Sequence, residues 1–241
     1  MPDRPCQASS VSCFACQNRQ RAEWCVLDEE QLQQFDRAKT VRTYKAGAFI
    51  YHEGDECQGI HCLESGLVSF RKYDADGHDT LVGMGNPGRT LGYRSLLEGS
   101  PHVTSAEATT DCQVCFIDRV VIREMLAQNP ALGYQFLRRA AKDLRRSTER
   151  YHEGNTLSVR DRFVHLLLIL RNKYGATAEG AGLSMTLPLS RQDMAALVGT
   201  RPETLARTIH QIEDEGLARF SGRKLTVPSV EALFADLELT A

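Results

Sequence analysis

The chain has 241 residues, 42% of them hydrophobic and 25% charged, with a formal net charge of -2. Such a composition excludes collagen-like, low-complexity and wholly disordered chains and leaves room for two domains with their own cores. No apolar run reaches the length of a membrane span, the nearest being Phe163 to Leu170.

The N-terminus MPDRPCQASS lacks the apolar core of a signal peptide, so a cytoplasmic chain is expected. In that compartment the eight cysteines point to metal, redox or packing roles rather than a disulfide framework. There is no nucleophile-base arrangement and no Gly-rich phosphate loop, so an enzyme is not expected.

Residues 1–26 hold Cys6, Cys13, Cys16 and Cys25. The residues between these cysteines are polar, which gives the thiols little packing use, and a soft metal or cluster is the reading that explains them.

From Val41 to Ile117 the pattern changes to short alternating segments. Examples are Ala48-Phe49-Ile50-Tyr51, Gly59-Ile60-His61-Cys62-Leu63 and Gly66-Leu67-Val68-Ser69-Phe70, separated by Gly-rich turns. Many short strands at this spacing predict a β-barrel or jelly roll. Cys57, Cys62 and Cys115 read as buried packing residues. Asp74 to Asp79 reads as an exposed hairpin tip.

Residues 129 to about 153 form the longest helical pattern, with Pro130 in its first turn and Leu132, Phe136, Leu137, Ala140, Leu144 and Tyr151 on one side. Six basic residues between Arg138 and Arg150 crowd its polar surface. Gly154-Asn155 is expected to end the helix and mark a domain boundary.

Within 156–241, Ser190 and Asp193 form a capping box ahead of Met194, Ala195, Leu197 and Val198, and Gly199 ends that helix. Thr200 and Glu203 are expected to form a second box, with Pro202 in the first turn. Leu205, Ile209 and Ile212 make a buried stripe, which leaves Thr204, Arg207, Thr208 and Gln211 on an exposed face. This is the layout of a helix-turn-helix whose second helix enters the DNA major groove. A hairpin from Phe220 to Val227, turning at Ser221-Gly222, supplies a wing with Arg223 and Lys224 aimed at phosphates.

The sequence PETLAR followed by a long apolar-striped helix resembles the recognition helix of the CRP/FNR superfamily of bacterial transcription regulators. The stretches Tyr44-Lys45-Ala46-Gly47 and Glu53-Gly54-Asp55 resemble that family's sensor domain. The resemblance implies an α+β chain with four parts: a cysteine-rich sensor segment at 1–26, a cyclic-nucleotide-binding-like β-barrel (jelly roll) at 27–128, a long dimerisation helix at 129–155, and a winged helix-turn-helix at 156–241. It implies a homodimer on a palindromic site in double-stranded DNA, read by Glu203 and Arg207, with Arg201, Thr204, Thr208, Arg223 and Lys224 around them. Ala206 stands where the FNR branch usually has Ser, and Pro202 where the CRP branch has Arg.

The N-terminal cysteines place the chain nearest the FNR-like branch, which implies a [4Fe-4S] cluster on Cys13, Cys16, Cys25 and Cys112, with Cys6 a competing ligand, and sensing of oxygen or redox state. The loop at Gly77, His78 and Asp79 is the implied contact to RNA polymerase. Alternatives stay open at this stage: structural zinc, thiol-disulfide switching, or haem on His52, His61, His78 or His102. The family's cyclic-nucleotide motif is not kept, since Leu91-Gly92-Tyr93-Arg94-Ser95 and His102-Val103-Thr104-Ser105 lack the acidic residue and phosphate-binding Arg at their expected places.

Overall fold

The computed structural model describes residues 12–174 and 182–235, and Cys6 lies outside the described residues. The chain divides into two compact units between Arg145 and Arg146.

The first unit opens with two 3₁₀ turns (Arg19–Arg21 and Glu23–Val26) and α1 (Glu29–Ala38), which Asp28 caps by accepting the Gln31 N–H. Eight strands follow: β1 (Thr40–Tyr44), β2 (Phe49–Tyr51), β3 (Gly59–Ser65), β4 (Val68–Tyr73), β5 (Asp79–Gly85), β6 (Thr90–Leu91), then α2 (Tyr93–Glu98), β7 (Ser105–Ala108) and β8 (Cys112–Asp118). They form two antiparallel sheets, in the orders β1-β8-β3-β6 and β2-β7-β4-β5. The expected jelly roll is thus present as two facing sheets that do not close into a barrel.

Leu63, Val68, Phe70, Leu91, Cys112 and Val114 fill the space between the sheets. Side chains alternate along a strand, so β8 also presents Ile117 to the outer face of the first sheet. That outer face is covered by the N-terminal turns, α1, α3 (Arg119–Gln128) and the start of α4 (Pro130–Thr156). Trp24 is central to the cover, with its ring 4.3 Å from Phe35 and edge-on to Phe136 at 5.6 Å between centroids.

The long helix differs from its sequence reading in two ways. Its apolar residues do not form one side. Leu132 and Phe136 are buried in the outer core, whereas Tyr134, Leu137, Leu144 and Tyr151 are exposed. The helix also continues through Gly154 and Asn155 to Thr156. One helical glycine costs only about 1 kcal/mol, and Asn155 and Thr156 bond back to the carbonyls of Tyr151 and His152.

In the second unit α5 (Val159–Tyr174) leads to β9 (Leu183–Thr186), α6 (Arg191–Val198), α7 (Pro202–Asp214), β10 (Arg219–Ser221), β11 (Lys224–Val227) and α8 (Val230–Phe234). The Ser190–Asp193 capping box forms, and Gly199 ends α6 at a φ of 71°, where an L side chain would be strained. The second capping box does not form. Pro202 occupies the first helical position and holds Arg201 extended, so Arg201 is the N-cap and makes no side-chain cap bond. Thr200 closes the turn instead, its N–H donating to Ala195 O. β9 joins the wing as a third strand, and Ser221 pairs with Lys224, which puts Gly222 and Arg223 at the tip.

Two neighbouring substitutions separate the faces of α4. Phe136→Ala should cost roughly 3–5 kcal/mol of first-unit stability. Leu137→Ala should stay within about 0.5 kcal/mol in the monomer. Urea unfolding followed by the fluorescence of the single tryptophan, Trp24, reads both.

Candidate functional site

Cys13, Cys16, Cys62 and Cys115 line one cavity of about 50 Å³ on the outer face of the first sheet, walled also by Trp24, Phe35 and Leu63. A single water needs only about 15 Å³. Cys62 and Cys115 face each other across β3 and β8. Cys13 and Cys16 arrive on the N-terminal segment, which is tied to its neighbours by side-chain bonds. Asp36 Oδ1 accepts the Cys13 N–H at 2.7 Å and Lys39 Nζ at 2.6 Å, and Lys39 Nζ also reaches Cys13 Sγ at 3.5 Å. Asn18 Nδ2 donates to Glu64 O at 2.8 Å. Cys25 is half-buried on the turn beside Trp24 and is not part of the cavity lining.

Cys112 is not in this group, contrary to its assignment as the central ligand. Its thiol donates to the carbonyls of Leu67 and Thr110 within the core between the sheets. A Cβ on Gly66 would lie 2.6 Å from Cys112 Sγ, so the Gly66 backbone is already packed against the sulfur. Cys115 lies three residues further on, and an odd step along a strand puts it on the opposite face. Two of the three cysteines read as packing residues, Cys62 and Cys115, are on the cavity. Cys57 remains a packing residue, its thiol donating to Gly59 O at 3.3 Å.

The cavity lining offers soft sulfur donors, the kind a metal or cluster uses. Burial pushes the Cys13 thiol up to about 12 and the Cys115 thiol up to about 11, so both are protonated until a metal displaces the protons. The Lys39 ammonium, with only 5% of its side chain exposed, is paired with Asp36 and lies beside the Cys13 sulfur. Arg19 Nε is buried without a hydrogen-bond partner on a residue of the cavity wall, a donor left over for a thiolate or sulfide. Four thiolates on one zinc stand roughly 3.8 Å apart, as a Zn–S bond of ~2.3 Å in a tetrahedron requires. Among the described residues no three cysteine sulfurs lie within 4.8 Å of one another. A cluster spaces its thiolates more widely, because each binds a different iron.

A second cavity of about 20 Å³, near the volume of one water, opens beside Gly92, Arg94 and Thr104. Tyr51 and His102 line it, stacked at 3.8 Å. Of the histidines weighed for haem, His52 and His78 are exposed and His61 and His102 are buried around Tyr51. Burial, and then His102, bring the His61 ring down to about 3, so it is neutral.

In the second unit α7 buries Leu205, Ile209 and Ile212 and exposes Glu203, Ala206, Arg207 and His210. Glu203 and Arg207 are one turn apart and share a face. Arg207 Nη2 donates to Thr204 Oγ1 at 3.2 Å. Thr208 is not on that face. It is buried, and its hydroxyl donates back to Thr204 O at 3.1 Å. Arg201, Arg223 and Lys224 are exposed, and so is Arg219, which the sequence reading missed although it alternates with the half-buried Phe220. At the β4–β5 hairpin, Gly77 and His78 are exposed, while the Asp79 carboxylate turns back onto Arg71.

Comparisons with known proteins follow this division. Residues 41–129 match the family model of the cyclic nucleotide-binding domain, and residues 161–235 match that of the Crp-like helix-turn-helix domain; together they cover more than half of the chain. A CRP-like cAMP-activated global transcriptional regulator of Mycobacterium tuberculosis is 27% identical over 79% of this chain and 84% of its own length. The transcriptional activator protein FnrL of Cereibacter sphaeroides is 26% identical over 88% of this chain and 86% of its own. The c-di-GMP-responsive global regulator CLP of Xanthomonas campestris shares the fold, with a TM-score of 0.72 at 22% identity over 83% of this chain and 99% of that one.

Asp36 gives the cysteine segment a definite pH dependence. Burial raises its carboxyl, but the bonds from Lys39 and Cys13 outweigh burial and hold it at about 2, below the ordinary 3.8. A carboxyl depressed by folding contributes stability above its unfolded value and loses it as pH falls through the folded one. Docking of the segment should therefore weaken between pH 4 and pH 2, and Asp36→Asn should flatten that dependence. Amide exchange at Cys13 against pH measures it.

Proposed function

Because the chain belongs to the CRP/FNR superfamily of DNA-binding transcription regulators, we propose that it senses oxygen or redox state through a [4Fe-4S] cluster on Cys13, Cys16, Cys25 and Cys115. The observation that carries this is the single cavity shared by Cys13 and Cys16 from the N-terminal segment and Cys115 from β8. When bound, the cluster supplies a cross-link between segment and sheet that oxygen or nitric oxide can break. Cys25 is preferred over Cys62 as the fourth ligand because it sits on a short turn at the surface. Cys62 is fixed in a central strand and already accepts the Trp24 indole N–H at 3.1 Å.

Dimerisation falls to the exposed face of α4. Tyr134, Leu137, Ala141, Leu144, Thr148 and Tyr151 recur at steps of three and four, which is the seam of a two-stranded coiled coil. A second copy covering this seam would set two α7 helices about 34 Å apart, one turn of a palindromic duplex. There Arg207 can bond a guanine bidentately and Glu203 can accept from a cytosine. Arg201 and Thr204 flank them, and Arg223 and Lys224 of the wing meet phosphates. Thr208 leaves the set, since its hydroxyl is already bonded within the helix. Gly77 and His78 remain the surface offered to RNA polymerase, with Asp79 holding the hairpin through Arg71.

Protein purified without air should show a broad iron-sulfur absorption, about four irons per chain, and bleaching in air. Cys115→Ala and Cys25→Ala should lose the iron, while Cys112→Ala and Cys62→Ala should keep it. Iron retained in Cys115→Ala would overturn the ligand set.

Arg207→Ala should weaken specific binding by about 1–3 kcal/mol and relax base preference at one position. Affinity for random DNA should barely change. An equal loss on both duplexes would make Arg207 a phosphate contact instead.

A further inference from the structure

Glu23 is a buried carboxylate on the same 3₁₀ turn as Trp24 and Cys25, only 5% exposed, and the cysteine chemistry does not use it. It accepts the Thr90 hydroxyl at 2.5 Å and Arg139 Nη1 of α4 at 3.4 Å. Arg139 in turn faces Asp143, one helical turn on, whose Oδ2 accepts Arg89 Nη2 at 3.0 Å and the Tyr93 hydroxyl at 2.9 Å. The side chains of Arg139 and Asp143 are 17% and 13% exposed, so this is a largely desolvated chain of charges.

The network joins three parts through buried charged and polar groups: the cysteine segment, the β6 edge of the first sheet, and α4. It is also incompletely satisfied. Arg139 Nε is buried with no hydrogen-bond partner, 3.8 Å from Asp143 Oδ1. A half-satisfied buried network depends steeply on each remaining member, because losing one leaves a charge in a poor dielectric. Arg139 and Asp143 lie on the helix face turned to the protein, and Leu137 and Leu144 lie on the face turned away. What holds Arg139, with the bonds of Asp143 to Arg89 and Tyr93, therefore contributes to the rotation at which the apolar seam is presented.

We propose that Glu23 is the positioning residue that couples the cysteine segment to the dimer helix. With the segment docked, Glu23 reaches under Thr90 and holds Arg139 inward, which turns the Leu137–Leu144 seam outward for a second copy of the chain. When the segment leaves, Glu23 goes with it. Arg139 then loses its carboxylate on that side and moves toward water, adding a cation to a helix that already carries Arg138, Lys142, Arg145 and Arg146. The inference rests on the proposed cluster site, because binding at that site is what docks the segment.

The test measures iron content and the dimer dissociation constant of the full chain, kept without air and then after air exposure. Wild type should dimerise about tenfold more weakly once the cluster is lost, within the usual range of coupling between sites. Glu23→Gln should keep its iron yet show most of that difference gone, with the loaded protein already dimerising as weakly as the bleached one. An unchanged difference in iron-loaded Glu23→Gln overturns the proposal.

If Glu23→Gln loses iron, Arg139→Gln decides, since it changes no residue of the cysteine segment. Loss of coupling with iron retained supports the proposal, and retained coupling overturns it. Wild type without iron would overturn the cluster reading and this inference together, and that result is read from wild type alone.

Discussion

The first unit depends on the docking of Trp24. Its ring is buried between Phe35 of α1 and Phe136 of α4, and its N–H is satisfied by the sulfur of Cys62. One side chain thereby fixes the N-terminal turns, the helix that follows them, the outer face of the first sheet and the start of the long helix. A large aromatic group is suited to this because it carries most of its binding in apolar area and still needs one polar partner. Cys13, Cys16 and Cys25 are held near the sheet by that anchor and by the Asp36–Lys39 pair, to which Cys13 bonds.

The same arrangement leaves α4 with two different apolar faces. One is spent on the core at Leu132 and Phe136, and the other stands in solvent at Tyr134, Leu137, Leu144 and Tyr151. An exposed row of large apolar side chains at coiled-coil spacing is unfavourable in isolation, and a second copy of the chain is the occupant that its period fits. Control of such a seam needs only a small rotation of the helix. The polar side chains packed against its inner face are suited to set that rotation.

In the second unit the physics is local. A capping box, a left-handed glycine and a proline at the first helical position fix the turn between α6 and α7. The burial of Leu205, Ile209 and Ile212 then decides which side chains point out. Net charge is no guide to binding here, since Arg201, Arg207, Arg219, Arg223 and Lys224 make a locally basic surface on a slightly acidic chain.

Much of this was legible in the sequence, because the relevant signals are short-range. Ser190-Asp193, Gly199, the 3–4 spacing of Leu205, Ile209 and Ile212, and the alternating segments of the sensor each depend on a few adjacent residues. They were enough for the class of both units. Where a second local signal competed, the reading failed: Pro202 displaced the cap from Thr200, and Thr208 satisfied its hydroxyl within the helix.

Three matters were decided only by tertiary structure. Both faces of β8 are buried, so the sequence Cys112-Gln113-Val114-Cys115-Phe116-Ile117 has no polar side to tell which cysteine faces which core. Strand parity together with the cover laid down by Trp24 makes the choice. The apolar residues of α4 could not be divided into a core face and a free face until the sheet beneath them was in place. Nothing local marks Glu23 among the polar residues around it, because its burial depends on Thr90 and Arg139, 67 and 116 residues away. Periodicity and capping act over one or two turns, whereas the environment of a single buried group is set by whatever the whole chain brings against it.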